Sequence, residues 1–427
     1  MSLPDRAGVA PALRGLLGPD AVLTEAHELE RYEKGWRYGS GTALAVARPR
    51  TAAEVARVLA FAAESGLRLV AQGANTGLVG ASNPDSSGAM LVLSLERLTQ
   101  PLEIDPVDRT VTAGGGVLLS QLNAALEPHG LVFPVDLGAD PTIGGMVVTN
   151  TGGTRLLRYG DVRQNLLGLE VALPDGSLLD LMTALRKNNT GLDAKQLFVG
   201  TSGVFGVVTR ALLRVVASPS QRATALVGAS DGATVLALLS HLERTVGEVL
   251  TAFEVMSADA LAPVFRWQPR LRSPFGAALP PFAALVELST TLPAERLALD
   301  ELLESTLAEA CAAEAGLGDV FPGRPADLWD IRHHVSESHR HEGEVLGLDV
   351  SVPRSSLPAL LQGARALVAA EYPFVRVCDF GHWGDGGVHV NNQLFYDRYT
   401  PEAVKALCRG LKAQLDPQGL LGTTRLG

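Results

Sequence analysis

At 427 residues, with 19% charged side chains and a formal net charge of −10, the chain is too long for one ordinary core and carries no dense Lys/Arg block; this argues for two domains and against nucleic acid as a partner, leaving a small molecule as the expected ligand. No stretch approaches the ~20 uninterrupted apolar residues of a membrane span. Met1 to Glu30 intersperses Asp5, Arg6, Arg14, Asp20 and Glu25 among apolar residues, unlike a secretion signal, so the expected compartment is the cytoplasm.

Thr51 opens an apolar stripe at Ala52, Val55, Val58, Leu59 and Ala62, a helical pattern that stops near Gly66, and Leu67 to Ala71 follows as a strand. Met90 to Ser94 and Thr110 to Ala113 read as two more strands, and Val117 to His129 as a helix closed by Gly130. Leu166 to Leu173 and Leu178 to Leu181 flank Pro174-Asp175-Gly176-Ser177, whose turn chemistry predicts a β-hairpin. Val207 to Val216 reads as a strand and Ser218-Pro219-Ser220 as a domain boundary. Beyond it longer helical patterns take over, Thr234 to Gly247 and Ala294 to Ala315, with the strand Leu285 to Thr290 between them; this half reads as an antiparallel sheet covered by helices. Cys311, Cys378 and Cys408 lack CxxC spacing and read as free thiols.

Three glycine-rich runs punctuate the first half: Gln72-Gly73-Ala74-Asn75-Thr76-Gly77-Leu78-Val79-Gly80, Asp136-Leu137-Gly138-Ala139-Asp140-Pro141-Thr142-Ile143-Gly144-Gly145, and Gly200-Thr201-Ser202-Gly203-Val204-Phe205-Gly206. Each mixes Gly with Thr, Ser or Asn, so backbone N–H groups and short hydroxyls can approach a ligand without side-chain bulk. No Lys or Arg lies between Gln72 and Ser87, which makes amide dipoles the expected holders of a pyrophosphate there. One such run serves equally well as a turn; three together favour a large anionic cofactor. Neither GxGxxG nor GxxxxGK[ST] occurs in them, so a Rossmann or P-loop site has no support.

Together with Thr149-Asn150-Thr151-Gly152-Gly153, Arg158-Tyr159-Gly160, Arg186-Lys187-Asn188-Asn189-Thr190-Gly191 and Lys195-Gln196-Leu197-Phe198, these runs resemble the FAD domain of the vanillyl-alcohol oxidase/p-cresol methylhydroxylase superfamily. From about Trp36 onward the chain is most similar to the D-2-hydroxyglutarate and related D-2-hydroxyacid dehydrogenases within it. The resemblance implies an α+β fold, with a two-subdomain FAD-binding domain over residues 1–218 (core from about 42) and a FAD-linked oxidase C-terminal substrate domain over 219–427. It implies cofactor contacts at Gln72, Gly73, Asn75, Thr76, Gly77, Leu78, Gly80, Asp136, Leu137, Gly138, Thr142, Gly144, Gly145, Thr149, Asn150, Gly152, Gly203 and Val207. Of these, Gly77, Gly144, Gly145 and Gly203 would bring backbone to the cofactor, and Asn75, Thr76 and Thr142 would hydrogen-bond its phosphate or ribityl oxygens. The matching loop lacks the His or Cys by which some members attach FAD, so the cofactor is expected to be non-covalent.

A second constellation is His382-Trp383-Gly384-Asp385-Gly386-Gly387-Val388-His389-Val390-Asn391. Imidazoles seven residues apart would point to opposite faces of one straight strand, but Gly-Asp-Gly-Gly lets the chain turn back and bring both to one ion. Two ligands do not complete a metal centre. The resemblance implies that His382 and His389 bind a divalent metal such as zinc, that Asn391 touches the substrate, and that Arg332 pairs with the substrate carboxylate. The family's third ligand and its base lie in a Ser-Ala-Glu-His-Gly segment that does not occur in this sequence. Ser336 stands at a family Thr and Gly347 at a family Lys that meets a far carboxylate, so glutarate specificity is not implied. His333, His334, His339 and His341 read either as a solvated face of one helix or as the source of a replacement ligand or base, with Glu342 and Glu344 as replacement carboxylates.

Besides a weaker reading as another oxidase of the superfamily that acts on an alcohol, two functions stay open. One is an FAD-dependent dehydrogenase of a D-2-hydroxy acid, with Arg332, His382, His389 and Asn391 as its catalytic set, hydride passing to flavin N5, and electrons leaving to a protein or quinone acceptor. The other is a flavin-binding protein whose catalysis is lost or reduced. The oligomeric state, a homodimer included, is not set by the sequence.

Overall fold

The computed structural model describes residues 6–37, 39–276, 278–348, 350–388 and 400–423. The chain divides into two compact units, one built from residues up to 152, from 161 to 217 and from 392 onward, the other from 153–160 and 218–391.

In the first unit β1 (Val22–Leu23), β2 (Ala43–Ala47), β3 (Leu69–Gln72) and β4 (Met90–Ser94) form a sheet in the order β1-β2-β4-β3, parallel from β2 to β3. The helix Ala52–Ser65 buries Val55, Val58, Leu59 and Ala62 in the same core as Leu69, Leu91 and Leu93. It starts where Thr51 Oγ1 accepts the Glu54 amide and ends at Gly66 in the left-handed region, as its sequence signals require. A second sheet joins β5 (Leu102–Asp105), β6 (Thr110–Gly114) and, after the short β7 (Leu131–Val132), β8 (Leu166–Ala172), β9 (Leu178–Leu181) and β10 (Val207–Arg214). Its order is β5-β6-β10-β8-β9, antiparallel throughout, and β11 (Val216–Ala217) pairs with β7. The single helix expected over Val117 to His129 is shorter: an α-helix spans Leu119–Leu126 and a 3₁₀ turn Glu127–His129, because Pro128 has no N–H to continue the ladder.

The helix Glu402–Leu415 also belongs to this unit, and beyond it Leu421 pairs in parallel with Leu69, the first residue of β3. Asp416, 2% exposed, secures that pairing by accepting the amides of Leu420 and Leu421, both at 2.9 Å, beside Lys412 Nζ.

In the second unit β12 (Gln221–Ala229), β13 (Leu250–Ser257), β14 (Phe282–Thr290), β15 (Leu317–Gly323), β16 (Val350–Ser351), β17 (Phe380–Gly381) and β18 (Gly387–Val388) follow in chain order. Five of them form an antiparallel sheet ordered β15-β12-β14-β13-β17, and β16 pairs with β18. Alternation decides what each face buries. Ala225, Val227, Val255 and Val286 pack under the helices Gly232–Val246 and Leu299–Ala313, whereas Leu226, Met256 and Leu285 pack under Ala258–Trp267, Pro325–His333 and Val335–His339. The antiparallel sheet covered by helices is thus present, with helices on both faces.

Replacing Asp416 by Ala removes a charged acceptor from two buried amides and is expected to lower stability by about 3 kcal/mol. Earlier unfolding in urea and faster tryptic cleavage at Lys412 check this.

Candidate functional site

All three glycine-rich runs fall in the first unit and meet around one helix, Ile143–Thr149. At its start the second run touches the first, since a Cβ on Gly73 would lie 2.1 Å from Thr142 Oγ1, an approach only glycine allows. Thr142 Oγ1 in turn accepts the Gly145 amide at 3.2 Å and caps the helix. At its other end Gly200 N–H donates to Val147 O and Ser202 N–H to Val148 O, which ties in the third run. Asn150, Ser202 and Gly203 take positive φ angles of 48°, 55° and 77° in this tight packing.

Gln72, Gly73, Ala74, Asn75, Gly116 and Thr142 border a cavity of about 280 Å³. Nothing lies within 4 Å of where a Cβ would stand on Gly77 or Gly138, and Leu78 and Val79 are 46% and 43% exposed. Open backbone beside uncovered apolar side chains fits a cofactor with a flat ring and a phosphate tail. Two side chains with an expected cofactor role instead brace the loop. Gln72 Nε2 donates to Tyr32 O and Ser82 O at 2.9 Å each, and Asn75 Nδ2 donates to Lys34 O at 2.7 Å while its Oδ1 accepts from Ser82 Oγ at 2.9 Å. Gly144 donates its N–H to Gly115 O and serves helix packing, Thr149 Oγ1 donates back to Gly145 O, Asn150 Nδ2 donates to Asp161, and Val207 is wholly buried in β10. Thr76, Gly80, Asp136, Leu137 and Gly152 occupy half-buried positions of the same stretches.

The second unit concentrates charge on one face of its sheet. Ala252 faces Glu287 and Glu254 faces Leu285 across β13 and β14, so the two glutamates project from the same side. Both are completely buried, a state a carboxylate tolerates only with counter-charge and hydrogen bonds. Glu254 Oε2 accepts from Arg332 Nε, and its Oε1 lies against His382 Nδ1, each at 2.6 Å. Glu287 Oε2 accepts from Trp329 Nε1 at 2.7 Å, and Arg155 Nε lies 3.6 Å from its Oε1. Trp329 and Arg332 are three residues apart on the helix Pro325–His333, so one helix face is fastened to both carboxylates. The Arg332 guanidinium also stacks over the Phe380 ring, 4.9 Å from its centroid. Arg158 reaches Thr251 Oγ1 and Ser289, tying the short helix Leu156–Tyr159 to β13 and β14.

Burial by itself would raise the Glu254 pKa, but Arg332 and then His382 outweigh it and hold the carboxyl at about 2. Burial likewise works against a charged His382, yet Glu254 outweighs it and raises the imidazole pKa. Arginines and a charge-favoured imidazole beside these carboxylates make the face suited to a small anion. Sequence reading passed over Glu254, Glu287 and Arg155. A usable signal was there, since each glutamate stands alone in an apolar strand, Leu250-Thr251-Ala252-Phe253-Glu254-Val255-Met256 and Leu285-Val286-Glu287-Leu288.

His389 and Asn391 lie outside the described residues. His382 follows β17, which pairs with β13, while β18 pairs with β16. Among the described residues no group of three or more His, Cys, Asp or Glu is placed to hold a metal ion, so they do not supply the metal centre that the resemblance implies. The four neighbouring histidines do not share one solvated helix face, because the chain breaks at His334, which ends one helix and opens the next. His333 stacks on Trp329, His334 bonds to Asp330 O, His341 stacks on Trp267, and His339 is buried against Ala260 O. Glu342 is engaged by Arg266 and Trp267, and Glu344 is exposed. Cys311, Cys378 and Cys408 are half-buried free thiols.

Amide-lined loops in one unit and an anion-suited sheet face in the other define a flavoprotein of two parts. Family descriptions agree: "FAD binding domain" matches residues 43–182 and "FAD linked oxidases, C-terminal domain" matches residues 218–407. Mitochondrial D-2-hydroxyglutarate dehydrogenase of Bos taurus is 36% identical, over 96% of this chain and 81% of its own length. D-2-hydroxyglutarate dehydrogenase of Xanthomonas citri pv. viticola is 33% identical over 89% and 78%. Among solved structures, 4-ethylphenol oxidase from Gulosibacter chungangensis matches with a TM-score of 0.75 at 15% identity over 100% of this chain and 99% of its own. Alkyldihydroxyacetonephosphate synthase matches at 0.74 and 16% identity over 98% and 85%; both likenesses are of fold alone. The chain belongs to the D-2-hydroxyglutarate dehydrogenase family of FAD-linked oxidoreductases.

Two outcomes follow for these residues. Gly73→Ala, which forces a methyl onto Thr142, is expected to lower the flavin-to-protein ratio after desalting, and Gly77→Ala, which meets no protein atom, to keep the protein folded while weakening FAD through contact with the cofactor alone. Burial lowers the His339 pKa, so folding favours the neutral ring; the stability this contributes is present above the ordinary value of 6.5 and is lost as the pH falls. The advantage of wild type over His339→Gln in thermal unfolding is therefore expected to shrink between about pH 8 and about pH 5.

Proposed function

We propose that the protein is an FAD-dependent dehydrogenase that oxidises a D-2-hydroxy acid to its 2-oxo acid, with the first unit holding FAD and the second holding substrate. The observation that carries this reading is the Arg332–Glu254–His382 cluster, a guanidinium and an imidazole set side by side by one buried carboxylate. A 2-hydroxy acid presents a carboxylate and a hydroxyl on neighbouring carbons, and the cluster offers a group for each. With its Nε engaged by Glu254, Arg332 has its two Nη groups for the substrate carboxylate. With its Nδ1 on Glu254, His382 has its Nε2 edge turned away from that carboxylate, and this edge is assigned to the hydroxyl.

The hydroxyl proton passes to solvent as the C2 hydride departs, so negative charge develops on that oxygen. Arg332 and an imidazole whose charged form Glu254 favours stand beside it and lower that charge's free energy. FAD, when bound, supplies the hydride acceptor at flavin N5. Gly73, Thr76, Gly77, Gly138, Thr142 and Gly145 are the residues that would hold it. Electrons would then pass to a protein or quinone acceptor. Gly347 supplies no cation for a far carboxylate, which favours a 2-hydroxy acid smaller than glutarate.

The test is anaerobic addition of D-lactate, L-lactate, D-malate and D-2-hydroxyglutarate to the FAD-loaded protein. Bleaching of the flavin by a D-acid and not by L-lactate is the expected result; a yellow protein that no acid bleaches contradicts it and leaves a flavin-binding protein without this activity. Arg332→Lys, which removes the planar fork, is expected to raise the half-saturating acid concentration by about 10- to 100-fold.

A further inference from the structure

We propose that Glu254 is a positioning residue for the reaction: one buried carboxylate that sets the orientation of both Arg332 and His382 toward the substrate. The inference rests on the function proposed above and assigns a role that neither flanking residue can fill. The three side chains come from three elements, β13, the helix Pro325–His333 and the turn after β17, and they are 0%, 14% and 12% exposed.

The strand register brings two of them together. Val255 faces Gly381 and Met256 faces Phe380, so the next pair along the antiparallel ladder is Glu254 with His382. Each carboxylate oxygen has its own partner at 2.6 Å, Oε2 with Arg332 and Oε1 with His382, so the carboxylate cannot turn toward one without releasing the other. This arrangement also sets which edges face away from the carboxylate: the Nη edge of the guanidinium and the Nε2 edge of the ring. Were the purpose only stability, an apolar side chain at 254 would fill the sheet as well, since buried ion pairs gain little over packed hydrocarbon. The helix bearing Arg332 has a separate anchor in Trp329 on Glu287, so loss of Glu254 is expected to free the guanidinium and the ring while the helix stays in place. A ring held at Nδ1 by a carboxylate keeps the same orientation whether its Nε2 meets substrate or an ion.

The experiment compares FAD-loaded wild type with Glu254→Gln and Glu254→Asp. In ¹⁵N-histidine-labelled protein, wild type is expected to show one strongly downfield Nδ1 proton, absent from His382→Gln and moved upfield or lost in E254Q. In anaerobic stopped flow the flavin reduction rate per bound FAD is expected to fall about 30-fold or more in E254Q, and the acid's dissociation constant to rise, because the guanidinium keeps its charge and fork but loses the tether that aims it. E254D, one methylene short of spanning both partners, is expected to fall between. An E254Q that loses thermal stability or FAD yet reduces its remaining flavin at the wild-type rate overturns the proposal and leaves Glu254 a purely structural residue. If E254Q does not fold, a wild-type reduction rate in E254D overturns it equally. If no acid reduces the wild-type flavin, the proposed function falls, and the histidine signal decides the tether alone: its absence from wild type overturns it, and its loss on E254Q substitution supports it.

Discussion

Removing a carboxylate from water into the middle of a sheet costs several kcal/mol unless charge and hydrogen bonds replace the solvent, and the second unit does so twice on one face, at Glu254 and Glu287. Much of that unit's site geometry follows from satisfying them. Glu254 draws in Arg332 and His382; Glu287 draws in Trp329 and Arg155. Because Trp329 and Arg332 share a helix face, the helix is held at two points, and its guanidinium comes to rest where an anion can be met. Apolar residues of the same face, Leu226, Met256 and Leu285, supply the burial that makes the two charges expensive and hence well fixed.

The first unit reaches its geometry by the opposite route, through the absence of side chains. Gly73 against Thr142, Gly144 against Gly115 and Gly116 against Leu95 O, where a Cβ would lie 1.9 Å away, are approaches in which backbone takes the space a side chain would need. They let three segments far apart in sequence converge on the helix Ile143–Thr149 and leave amides and short hydroxyls in their wake. The one unit is organised by steric permission and the other by charge compensation, which matches a polyanionic ring cofactor on one side and a small carboxylic acid on the other.

Much of this was legible in the sequence where the signal is local. Thr51 and Gly66 bracket their helix, Pro174-Asp175-Gly176-Ser177 turns its hairpin, and the glycine runs stand out without any partner being known. Readings failed where one residue interrupts a pattern from within: Pro128 splits a helix into α and 3₁₀ parts, and His334 separates two helices whose histidines looked like one row. Glu254 was invisible for a different reason. Its meaning lies in Arg332, 78 residues away, and in His382 beyond that, and no periodicity links them. Only the lone charge in an apolar strand hinted that something had to come and neutralise it.

The most direct measurement is a crystal structure of the protein loaded with FAD and soaked with oxalate, a small stand-in for the 2-hydroxy acid. The account predicts an oxalate carboxylate on the Nη groups of Arg332, with Glu254 still bridging Arg332 Nε and His382 Nδ1. Oxalate bound away from Arg332, or an Arg332 that has left Glu254 to reach it, would contradict the account.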